Sequence, residues 1–173
     1  DRATGKFQYY HLQVNTRYGG SLIIVSDQFC LNQGMAFNLD TGTRGDSIGL
    51  GAFAAIPGGV ARISSRDFAT FKWADKEVLD RKGNKQIKRA LAPSIKATIT
   101  GLGENLIVAA GHAIAGGKDK VTMVNLKTGK QVWSAKIDGT AHGMAASDNR
   151  LIVSTDKGVL YCFSNGTAKP NVM

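Results

Sequence analysis

Apolar and polar residues alternate with period two along most of this chain. The clearest case is "VTMVNL" at 121–126, then Lys-Thr-Gly-Lys, then "QVWSAKI" at 131–137. Alternation of this kind marks strands with one buried face, and a Gly-containing turn between two such runs marks a hairpin. Similar runs stand at 21–27 ("SLIIVSD"), 35–40 ("MAFNLD"), 59–65 ("GVARISS"), 70–75 ("TFKWAD"), 106–111 ("LIVAAG"), 150–156 ("RLIVSTD") and 159–163 ("VLYCF"). The expected hairpin pairs are 21–27 with 35–40, 59–65 with 70–75, 106–111 with 121–126, and 150–156 with 159–163. Segments rich in small residues precede three of these pairs: "GAFAAIPGG", "KATITGLGEN" and "GTAHGMAASDN". Each reads as a further, inner strand. No stretch of ten residues carries a helical period of 3.6.

The turns recur. "DRATGK" at 1–6, "NLDTGT" at 38–43, "LDRKGN" at 79–84, "NLKTGK" at 125–130 and "FSNGT" at 163–167 share an Asx residue and a following glycine. Asn or Asp bonds its own downstream backbone, and Gly supplies the positive φ of a tight bend. The glycines are Gly5, Gly42, Gly83, Gly129 and Gly166, spaced 37, 41, 46 and 37 residues apart. A period of about 40 residues is that of four-stranded propeller blades. The expectation is an all-β propeller of antiparallel four-stranded blades, a single domain over 1–173. Its units run about 6–42, 43–83, 84–129 and 130–166, offset by one outer strand, with the glycine turns joining third to outer strands. The first outer strand and the last three strands could pair to close a four-bladed ring. Half of a seven- or eight-bladed ring, completed by missing sequence or another chain, is the favoured alternative because four-bladed rings are uncommon.

The turn motif resembles the quinoprotein-like (PQQ-like) β-propeller repeat, approximately Ala-x-Asp-x-x-Thr-Gly-x-x-x-Trp. Met123, Asn125, Thr128, Gly129 and Trp133 follow it, with Met for Ala and Asn for Asp. Ala36, Asn38, Thr41 and Gly42 follow it too, but Asp46 stands in the Trp slot. Asp1, Thr4 and Gly5 match at the start, with Tyr9 in that slot, and Asp80 lies one residue out of register before Gly83. The resemblance implies that the turn glycines are structural and that Trp133 docks one blade on the next. It implies a bacterial protein of the periplasm, cell envelope or outside. In that family, quinone-binding dehydrogenases use adjacent cysteines, a stacking Trp and acidic calcium ligands. Here Cys30 and Cys162 stand apart, so no cofactor is expected. The implied function is a non-catalytic scaffold presenting loops to a protein or acidic polymer. The alternatives are a degraded oxidoreductase domain or an accessory domain of a catalytic partner.

Composition adds a charge of +9, from 22 Lys and Arg against 13 Asp and Glu. This favours acidic partners. The densest run, "RKGNKQIKR" at 81–89, lacks the interleaved aromatics of a nucleic-acid platform and reads as a solvated patch flanking a turn. Cys30 and Cys162 sit in apolar runs and read as buried free thiols. No apolar stretch is long enough for a membrane-spanning helix. "GHAIAGGKDK" at 111–120 departs from a phosphate loop, because Asp119 follows Lys118 where Ser or Thr is required. It reads as a long hairpin loop in which His112, Gly116, Gly117 and Lys118 could form a modest anion nest. His112, Lys118, His142 and Arg17 are the candidate ligand-binding residues, on loops that could share one face. His11, His112 and His142 have no metal-ligand spacing, and no GxSxG elbow accompanies them. Trp73, two residues after Phe71, reads as inter-blade packing.

Overall fold

The computed structural model describes residues 3–7 and 23–164. Arg17, Gly166, Asp1, Tyr9 and His11 lie outside the described residues. The described residues contain thirteen strands and no helix.

The first sheet is a four-stranded meander of β1 (Ile23–Ser26), β2 (Phe29–Asn32), β3 (Met35–Asn38) and β4 (Arg44–Ser47). The second repeats the order with β5 (Ala52–Ile56), β6 (Gly59–Ile63), β7 (Asp67–Leu79) and β8 (Lys85–Thr98). The third is five-stranded and holds β9 (Asn105–Ala109), β10 (His112–Asn125), β11 (Gln131–Ser147), β12 (Arg150–Thr155) and β13 (Leu160–Ser164). Strand β11 is shared there. Its first part pairs with β10, from Val124↔Gln131 to Lys118↔Thr140, and its second part pairs with β12, from Ala141↔Thr155 to Ser147↔Arg150.

Two expected hairpins pair differently. Strand β1 pairs with β2 (Ile24↔Leu31), and β2 then pairs with β3 (Leu31↔Ala36), so 21–27 and 35–40 are not neighbours. The short apolar run "FCLN" around Cys30 is a strand that stands between them, and four residues carry too little alternation to show that placement. Strand β9 pairs with 112–116 rather than 121–126. The cause is that 111–120 is no loop: it is the first half of a strand continuous to Asn125. "KATITGLGEN" is likewise no separate inner strand, since β8 runs through Thr98 along β7 and 99–104 is irregular.

The glycine turns are built as their residues require. Asn38 Oδ1 accepts from the Asp40 and Thr41 N–H groups, both at 2.9 Å, and Asn125 Oδ1 accepts from Lys127 and Thr128 at 2.9 and 3.1 Å. Gly42 and Gly129 then donate to the Asn38 and Asn125 carbonyls, both at 2.9 Å. The Gly83 turn is one residue shorter. Its N–H donates to Asp80 O at 3.0 Å, and Asp80 Oδ1 accepts from Lys82 and Asn84. That shortening is why Asp80 falls out of register with the motif.

Apolar faces of successive sheets meet in separate clusters. Phe29 and Leu31 of the first sheet pack on Val60, Phe71, Trp73 and Leu91 of the second. Ile63 and Phe68 of the second pack on Ala113, Ala115 and Val124 of the third. The Trp slot of the Gly42 copy is empty of aromatic, since Asp46 is exposed on β4. Trp73 of the second sheet places an aromatic at the seam between the first two sheets. Its ring stacks on Phe29, centroids 4.3 Å apart and planes 17° apart, and its Nε1–H donates to Ser26 Oγ at 3.0 Å.

Candidate functional site

A groove of about 890 Å³ opens in the third sheet between its two halves. One wall carries His112, Ile114 and Met123 of β10 with Val132 and Trp133 of β11. The other carries the β11–β12 turn, Asp148-Asn149, with Arg150 and Phe163. Its floor follows from strand alternation. Met123 is in register with Trp133, and Trp133 meets the edge of Phe163, centroids 5.2 Å apart at 74°. Tyr161 and Phe163, two residues apart on β13, run parallel at 6.0 Å. Val132 is left 53% exposed at the rim, so apolar surface faces solvent here. Asp148 and Asn149 take φ of 48° and 59°, the tight-hairpin geometry that Asx residues tolerate, and this holds the turn against the groove.

The groove holds polar groups but no assembled relay. The His112 Nδ1–H donates to the Ala110 carbonyl at 2.8 Å, which fixes the tautomer. The Ser147 hydroxyl donates to Asp148 Oδ2 at 3.2 Å. Among the described residues no hydrogen bond joins the imidazole to Ser147 or Asp148, whereas nucleophilic catalysis needs nucleophile, base and orienting group in one chain of bonds. The residues do not fit a quinone-calcium centre either. Cys30 is on β2 and Cys162 on β13, in different sheets, and no cluster of three metal-type ligands occurs among the described residues. Cys162 is exposed and Cys30 only half-buried, which corrects the expectation of two buried thiols. Burial still pushes the Cys30 thiol above its ordinary value.

The predicted ligand residues do not converge. His112 lies at one end of β10 in the groove, and Lys118 lies six residues along it, beside a smaller hollow with Glu104 and Gly101. His142 is exposed on β11, two residues beyond Thr140, the register partner of Lys118. Near it the Thr140 N–H donates to Asp156 Oδ1 at 2.7 Å. That bond, helped by the His142 and Lys157 charges, holds the Asp156 carboxyl below its ordinary value. The anion nest is absent: Gly116 and Gly117 are buried in extended strand. A Cβ on Gly116 would stand 2.7 Å from Ala141 Cβ, and one on Gly117 3.1 Å from Gly103 Cα, so these glycines serve close packing. Sequence reasoning missed Met123, Val132, Arg150 and Phe163 as one surface. The signal was present only as the alternation of β11 and β13, and that does not reveal which strands lie side by side.

A family model described as outer membrane protein assembly factor BamB matches residues 74–171. Solved structures that share the fold include two that superpose on most of this chain. BamB from Moraxella catarrhalis superposes with a TM-score of 0.53 at 18% identity, over 81% of this chain and 41% of that one. The computationally designed Ika4 protein superposes with a TM-score of 0.52 at 9% identity, over 92% of this chain and 100% of that one. The chain thus spans less than half the length of the natural neighbour. No curated protein sequence matches it.

Proposed function

Because the chain belongs to the BamB family of PQQ-like β-propellers, we propose that it is a non-catalytic scaffold of outer membrane protein assembly in the cell envelope, and that the groove beside Trp133 receives a segment of a partner protein. The observation that carries this reading is the groove itself. It combines a partly open aromatic floor, the exposed Val132 and a rim of Arg150, His112 and Asp148. Protein interfaces are built this way, from a desolvated aromatic or aliphatic centre and a polar rim. Among the described residues the His112 ring bonds the Ala110 carbonyl and the Ser147 hydroxyl bonds Asp148.

A photo-crosslinking amino acid at Val132, with a control at exposed Asp46, tests the proposal in the native host. Val132 should give an adduct with a component of the outer membrane assembly machinery, and Asp46 should not. No adduct at Val132, together with normal outer membrane protein levels after deletion of the gene, overturns it.

A further inference from the structure

Strands β7 and β8 continue well past the body of their sheet. From Ala74↔Ala90 to Leu79↔Lys85 they form a two-stranded ribbon in which nearly every residue of 74–89 is exposed. An unsupported two-stranded ribbon is marginally stable, so its charges matter. The two faces differ sharply. Odd-numbered residues carry Asp75, Glu77, Lys85 and Arg89, and these neutralise one another. Lys85 pairs with Glu77 at 2.9 Å, and Arg89 pairs with Asp75 at 3.2 Å and with Asp27 of the β1–β2 turn at 2.6 Å.

Even-numbered residues carry Lys72, Lys76 and Lys88, separated by Ala74, Ala90, Ala92, Val78 and Gln86. Lys76 and Lys88 are register partners, directly opposite. Like charges so placed destabilise a ribbon. No carboxylate stands on this face, and among the described residues none of the three lysines forms an ion pair. Asp80, in the turn, spends its carboxylate on Lys82 and Asn84. The same face continues inward to Ile95 and Ala97, against which Gly129 packs. The exposed Lys127 and Lys130 of that turn therefore extend the basic strip.

We propose that this lysine face docks an acidic, extended segment of a partner protein. Lys72 and Lys76 lie four residues apart on one strand, about 13 Å, a spacing that carboxylates on alternate residues of an extended chain can meet. A nucleic acid would need aromatic platforms, and this face has none. A membrane surface would need large apolar groups beside the cations; the exposed Leu79 and Ile87 lie on the opposite face, with the carboxylates. The inference deepens the scaffold reading and rests on it.

The probe is a fluorescein-labelled deca-glutamate peptide, followed by anisotropy at low salt. The variant K76Q/K88Q should weaken binding roughly tenfold, each exposed charge contact being worth up to about fivefold. K85Q, on the neutralised face, should change it less than about twofold, and K76R/K88R should retain it. Equal loss in K85Q and K76Q/K88Q would mean that net charge alone binds the probe, and overturns the proposal. So would tighter, lysine-dependent binding to phosphatidylglycerol vesicles or to deca-thymidylate. A normal Val132 crosslink in cells carrying K76Q/K88Q, with no loss of peptide binding, removes the lysine face alone; no Val132 adduct in the wild type, together with normal outer membrane protein levels after deletion of the gene, removes the scaffold reading.

Discussion

Truncating Trp73 should separate the first two sheets. The indole is 9% exposed, stacks on Phe29, and donates to Ser26 Oγ, which in turn donates to Gly59 O at 2.9 Å. A buried Trp→Ala change costs about 3–5 kcal/mol, a large fraction of the roughly 5–15 kcal/mol that holds a domain together. At about 2–4 °C per kcal/mol for a chain of this size, Tm should fall by roughly 6–20 °C. Trp73→Phe keeps most of the apolar mass and loses the N–H donor, so its cost should be near 1 kcal/mol. Paired with Ser26→Ala in a double-mutant cycle, it should show coupling of about 0.5–1.5 kcal/mol. Urea unfolding followed by far-UV circular dichroism measures all four variants. The chain has two tryptophans, so in Trp73 variants the fluorescence reports on Trp133 alone and reveals whether the third sheet loosens with the others. A Trp73→Ala cost under about 1 kcal/mol, or a cycle without coupling, would refute the claim that this residue joins the sheets.

Three more outcomes follow from local geometry. Gly59→Ala should destabilise by about 1–3 kcal/mol, because its Cβ would lie 1.9 Å from the Phe71 carbonyl oxygen; an unchanged urea midpoint would contradict this. Lys88→Glu should stabilise the ribbon by about 0.2–1 kcal/mol through a cross-strand pair with Lys76, seen as slower amide exchange at 76–88, while it weakens deca-glutamate binding. Asp156 has its folded-state value lowered, chiefly by the Thr140 N–H. Its contribution to stability is therefore full above the ordinary carboxylate range and is lost as pH falls below about 4 through the lowered value. Carboxyl NMR should find Asp156 titrating below its ordinary value, and Thr140→Pro, which removes that N–H, should bring it back up.

The turns were legible in the sequence because their causes are local. Asn38, Asn125 and the glycines four residues later bond within one hairpin, and the spacing of such turns implied sheets of about four strands. Partnership was less legible. Nothing in "LIVAAG" says that it pairs with 112–116, because β10 is one strand with different partners on its two halves. The two faces of the ribbon were hidden for the same reason. "RKGNKQIKR" shows charge density, but only the β7–β8 register puts Lys88 opposite Lys76 and Arg89 within reach of Asp27. Trp73 was readable as a packing residue, yet its contacts with Phe29 and Ser26 depend on which sheet faces which.

The sharing of β11 has a consequence for how the molecule comes apart. The first two sheets are joined by the short segment 48–51, clipped where the Arg62 guanidinium donates to the Ile48 carbonyl at 2.6 Å. Such a joint lets neighbours open one at a time. The third sheet has no comparable joint, since one unbroken strand of 17 residues belongs to both its halves. Strand β11 pairs with β10 over 131–140 and with β12 over 141–147, so a break at its middle disturbs the backbone of both halves, and His112 to Ser164 should open as one cooperative unit. In the nearest-neighbour description of repeat proteins, the coupling across β11 exceeds that across 48–51. A partner seated in the Trp133 groove would then brace that whole unit directly, and would reach the first two sheets only through the packing of Ile63 and Phe68 on Ala113 and Val124.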